Sequence, residues 1–74
     1  MLDKNLMVQE LENAWNLPFV LRVDCRKASG GVFTWHILRL DEQRNQGPKE
    51  RFKIGGKVAY PKEAFFAWMK SKMR

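Results

Sequence analysis

The side chains in this sequence best placed to do chemistry are cations, and the chemistry they suit is the binding of a polyanion. Arg51, Lys53 and Lys57 flank the dipeptide Gly55-Gly56. On a hairpin such side chains project, while glycines let the backbone approach a ligand closely. Arg22, Arg26 and Lys27 stand at i, i+4 and i+5, which places them on the outer face of a helix. Read as a strand, Arg22 and Arg26 still share one face. Arg39 and Arg44 occupy an equivalent position one segment further on, with Thr34 and His36 beside them. An arginine can form paired bonds to guanine, whereas a lysine acts as a point charge. The plainer reading is that these cations solvate a surface and that the lysines protect a hairpin edge against aggregation.

Catalysis is poorly supplied. Cys25 and His36 are each the single residue of their type, and a nucleophilic dyad needs both members adjacent in space with an oxyanion site beside them. Asp41 and Glu42 are neighbours in sequence and do not converge on a substrate from two sides. No catalytic residue, metal site or cofactor is therefore expected. One cysteine also excludes an internal disulfide framework.

The chain has 74 residues and a formal net charge of +6, and the charge is uneven. Residues 1–18 hold one lysine against three acids, whereas residues 51–74 hold seven basic side chains and Glu63 alone. A field of one sign at one end of a small protein attracts a polyanion, and nucleic acid is the commonest, because neutralising its phosphates releases counterions. The length is about half that of a typical domain, so residues 1–74 are expected to form a single domain. Ordering such a chain costs about 110 kcal/mol at roughly 1.5 kcal/mol per residue, which commits nearly every large apolar side chain to the core. Trp15, Trp35 and Trp68 are accordingly expected as core anchors. The longest apolar run, Ala64 to Met69, is far shorter than the ~20 residues of a membrane span, and no apolar signal segment is visible. A soluble protein of a reducing cytoplasm is expected.

The elements that must position these cations are unevenly legible. Residues 5–16 read as a helix with Met7, Leu11, Ala14 and Trp15 on one face, Asn5 as its cap and Pro18 as its stop. Residues 18–29 fit either a helix facing Leu21, Cys25 and Ala28 inward or a strand alternating Phe19, Leu21, Val23 and Cys25 with polar neighbours. Lys27 to Gly31 is a turn in both cases. Residues 32–40 are again two-faced, and Asp41 to Glu50 reads as a loop. Arg51–Ile54 and Lys57–Tyr60 around Gly55-Gly56 give a hairpin, with Phe52, Ile54 and Val58 packing while the cations project. Pro61 opens a final helix with a Phe65, Trp68 and Met69 stripe. Phe66, about 100° round from Phe65, is expected to be partly exposed and open to a protein contact.

The stretch from Lys53 to Trp68, KIGGKVAYPKEAFFAW, resembles the wing and closing helix of the phage excisionase group, small winged-helix proteins related to the MerR-type helix-turn-helix. Val8-Gln9-Glu10-Leu11 resembles the group's first helix, although Met7 stands where a Ser or Thr cap is usual. The resemblance implies an α+β winged helix-turn-helix: N-terminal helices, a β-hairpin wing and a C-terminal helix. It implies a protein that binds and bends double-stranded DNA and steers an integrase towards excision, alongside neighbouring copies of itself. The recognition helix is then either residues 18–29, with a lengthened connection to the wing, or residues 32–44, with Pro18 to Gly31 as the insertion. The implied DNA contacts are Arg22, Arg26, Lys27, Arg39, Arg44, Arg51, Lys53, Gly55, Gly56 and Lys57. A repressor of the same fold and a module for an acidic protein partner are the alternatives.

Overall fold

The structure is a computed structural model and describes residues 3–72. Helix α1 spans Lys4–Ala14. Its cap is Asp3 rather than Asn5: the carboxylate accepts from the backbone N–H groups of Asn5 at 2.9 Å and Leu6 at 3.3 Å, satisfying donors that the helix itself leaves open. The inward face is turned by one residue from the Met7, Leu11, Ala14, Trp15 expectation. Val8 is buried, with Leu11 and Trp15 packed on the same core, while Met7 and Ala14 are exposed.

Residues 18–29 prove to be strand and helix in succession. Strand β1 covers Phe19–Leu21, a 3-10 turn follows over Arg22–Asp24, and α2 runs over Cys25–Ala28. Each of the two competing periodicities describes part of the segment. Gly30 and Gly31 close α2: Gly31 N–H donates to the Arg26 carbonyl at 2.7 Å and Gly30 N–H to that of Lys27 at 3.2 Å, the paired arrangement of a Schellman cap. Ser29, almost fully buried, then ties the turn to the next element, its Oγ accepting from Phe33 N–H at 2.9 Å.

Helix α3 spans Trp35–Gln43, so the loop expected from Asp41 begins three residues too early. Its stop is again a Schellman cap. Asn45 has φ of 58°, Gln46 N–H reaches the Asp41 carbonyl at 2.7 Å, and Asn45 N–H reaches that of Glu42 at 3.1 Å. Strands β2 (Phe52–Ile54) and β3 (Lys57–Pro61) form the hairpin. Gly55 and Gly56 both have positive φ, 57° and 80°, the requirement of the two-residue turn that matches strand twist. Pro61 ends β3 instead of opening the last helix; α4 begins one residue later and spans Lys62–Lys72.

The sheet is antiparallel in the order β1-β3-β2. Val20 lies opposite Tyr60 and both are buried, which marks the core face. Phe19, Leu21, Phe52 and Ile54 alternate to the other face, where Phe19 and Phe52 meet edge to face at 6.2 Å. Phe52 and Ile54 remain exposed there, contrary to the packed face expected for them. Helix α4 is the centre of the core: Phe65, Phe66, Trp68 and Met69 are all buried. Phe66, expected to be partly exposed, is only 1% exposed because α1 packs along α4. Among the described residues, no helix is long and apolar enough to cross a membrane.

Candidate nucleic-acid interface

Helix α3 carries two acids, and the fold disposes of both. Asp41 is buried; its Oδ2 accepts from the Trp68 indole N–H at 2.9 Å and pairs with Lys72 Nζ at 2.8 Å. Glu42 takes three donors from three other parts of the chain. Arg22 Nη2 approaches its two oxygens at 2.9 and 2.7 Å, Arg51 Nη1 lies 2.6 Å from Oε2, and the Tyr60 hydroxyl donates to Oε1. Arg22 Nε also donates to the Tyr60 oxygen at 3.1 Å. The neighbouring carboxylates thus serve different structural purposes: Asp41 fastens α3 to α4, and Glu42 fastens it to β3, the 3-10 turn before α2 and the base of the hairpin.

Titration follows from this geometry. Burial alone would raise both carboxyls, and the donors outweigh it: Lys72 and Trp68 hold Asp41 below its ordinary value, and Tyr60, Arg22 and Arg51 do the same for Glu42. Burial and the Glu42 carboxylate push the Tyr60 phenol up to about 12. A depressed carboxyl stabilises the fold fully above its unfolded value and loses that contribution as pH falls through its folded value. A raised phenol stabilises fully below its unfolded value, 10.0, and loses that contribution on the way to about 12. Burial also raises the Cys25 thiol above its ordinary value of 9.0, so the urea midpoint should be level between about pH 5 and pH 9 and decline on both sides. A midpoint still level down to pH 2.5 would show that the two carboxylates do not hold α3.

With its acids turned inward, α3 shows solvent a face of His36, Arg39, Leu40 and Gln43, flanked by Trp35 and by Arg44 at the C-cap. Trp35 is exposed and stacks on His36 with ring centroids 3.7 Å apart, so it is not the core anchor expected of it. Trp68 is buried and Trp15, partly buried, donates its indole N–H to the Phe19 carbonyl at 2.8 Å. Thr34 is the N-cap of α3, but its hydroxyl makes no capping bond.

The cations singled out from sequence divide into two groups. Arg22 does not line an outer helix face; it sits in the 3-10 turn and is drawn inward by Glu42 and Tyr60, with 26% of its side chain exposed against 63% for Arg51. Among the described residues, Arg26, Lys27, Arg39, Arg44, Lys53 and Lys57 form no ion pair and are exposed. Gly55 and Gly56 form the exposed tip of the hairpin. The register places Lys53 opposite Val58 and Lys57 opposite Ile54, so the two ammonium groups leave from opposite faces of the hairpin rather than together. Trp35, Leu40 and Gln43 join the exposed face without having been expected there. The available signal was Asn45, a residue suited to the left-handed conformation that ends a helix, which extends α3 past Asp41.

No family model matches the chain, and no curated protein and no solved structure matches it.

Proposed function

We propose that the chain is a winged helix-turn-helix protein that binds double-stranded DNA, with α2 and α3 as the helix pair, α3 in the major groove and the β2–β3 hairpin as the wing. The observation that carries the reading is the internal neutralisation of Asp41 and Glu42, which leaves the outer face of α3 with cationic, polar and apolar side chains only. A helix entering a groove lined by phosphates needs that face free of carboxylates. The element order supports the reading: strand, short helix, tight turn, helix, hairpin, helix. It favours residues 32–44 over 18–29 as the groove helix, because α2 has only four residues and its preceding arginine is engaged with Glu42.

The excisionase-like role follows the resemblance of the Lys53 to Trp68 stretch: the protein bends its site and steers an integrase. Phe52 and Ile54, exposed on the sheet face away from the core, are the apolar residues open to that integrase or to a neighbouring copy. Arg26, Lys27 and Arg44 act as phosphate contacts, and Arg39 as a base contact.

Binding to a fluorescein-labelled duplex should weaken on the order of a hundredfold between 50 and 200 mM salt if about four phosphates are neutralised. Arg39→Ala should weaken it about tenfold at fixed salt. Affinity independent of salt, or no duplex binding at low salt, rules the reading out. A gel assay of bending, with recombination scored on the same site, separates excision from simple repression.

A further inference from the structure

We infer that the groove helix reads thymine methyl groups, with Leu40 as the reading residue; this deepens the DNA-binding proposal and rests on it. Leu40 is 49% exposed on a helix whose neighbouring apolar residue, Leu38, is fully buried. Other large apolar side chains are exposed as well, Val23 and Val32 more fully; what sets Leu40 apart is its place in the middle of the outward face of α3, among cationic and polar neighbours. Its neighbours there are Arg39 and Gln43, and His36 and Arg44 lie one helical turn to either side. That setting decides the occupant. The acids of this helix are bound internally, so the face around Leu40 is complementary to an anionic partner. The apolar group that a DNA major groove offers is the C5-methyl of thymine.

The same face supplies the polar half of a base code. Arginine matches the O6 and N7 acceptors of guanine, and glutamine matches the N6 and N7 edge of adenine. Arg39 and Gln43 are one turn apart on the same side as Leu40. The site read by α3 is thus one in which a thymine lies beside a guanine or an adenine.

The test uses the whole chain and a pool of random 20-base-pair duplexes, from which bound sequences are selected and remade with uracil in place of thymine. Uracil pairs as thymine does and lacks only the methyl. For the wild type the uracil duplex should bind about fourfold more weakly for each methyl read, the fold-change equivalent to ~0.8 kcal/mol for one buried methyl. Leu40→Ala should bind both duplexes alike, at the wild type's uracil affinity. Its half-exposed position makes the variant foldable, and Leu40→Val, which keeps branched apolar surface, should retain part of the preference. Equal wild-type affinity for the two duplexes, or an unchanged preference in Leu40→Ala, overturns the assignment while leaving salt-dependent DNA binding intact. Failure to bind any duplex, with capture of an acidic protein instead, overturns both proposals together.

Discussion

Glu42→Ala should lose a large share of the protein's stability. The substitution removes one carboxylate and strands three donors: the guanidinium of Arg22, the Tyr60 hydroxyl and, at the surface, Arg51. Deleting one member of a fully buried ion pair costs about 3–5 kcal/mol, and for this pair, partly open to solvent at Arg22, the lower end, about 3 kcal/mol, applies. A chain of this length has a total stability of roughly 4–11 kcal/mol. The melting temperature should fall by about 15 °C, since each kcal/mol shifts a small domain by roughly 4–8 °C. Glu42→Gln keeps an acceptor for Tyr60 and should lose about half as much. Thermal unfolding followed by circular dichroism decides the matter, and equal melting points for wild type and Glu42→Ala would mean that Arg22 and Tyr60 are adequately solvated without their partner.

The largest effect on binding is expected from the wing. Lys53→Glu combined with Lys57→Glu replaces two unpaired ammonium groups at an exposed tip with two carboxylates. The plot of log affinity against log salt should flatten by about two units, and affinity at 100 mM salt should fall on the order of a hundredfold. The melting temperature should barely move, because neither lysine forms an ion pair among the described residues. Arg51→Glu is the less informative variant, since it also places a second acid against Glu42. An undiminished salt slope in the doubly substituted protein would remove the wing from the interface.

What could be read in advance divides by the range of the interactions involved. The hairpin was legible because both its causes are local: alternating residues on either side and a Gly-Gly pair that accepts positive φ. The last helix was legible for a similar reason, its aromatic residues recurring at helical spacing. Residues 19–28 resisted because three residues of strand pass directly into a 3-10 turn and a four-residue helix, too short for either period to establish itself. Helix α3 was cut short at Asp41, where a charge on the inward face breaks the apolar pattern. Trp68 and Lys72, distant in sequence, make that burial tolerable. Arg22 was misplaced on the outer surface for the same reason, since Glu42 lies twenty residues away. The full burial of Phe66 is not visible in the pattern, because one stripe suffices for a helix with one neighbour, whereas α4 is covered on a second side by α1.

The opposed lysines of the hairpin have a consequence for polarity. In the proposed complex, one ammonium on each side would let the finger meet phosphates on both flanks, while Phe52 and Ile54, exposed on the Lys57 side alone, make its two faces unlike. Direction along the duplex would then be set by α3 as well, whose two ends are chemically unlike: a stacked indole and imidazole at Trp35 and His36, a guanidinium at Arg44. Glu42, through its bond to Arg51 at the start of the hairpin, ties these two elements to each other.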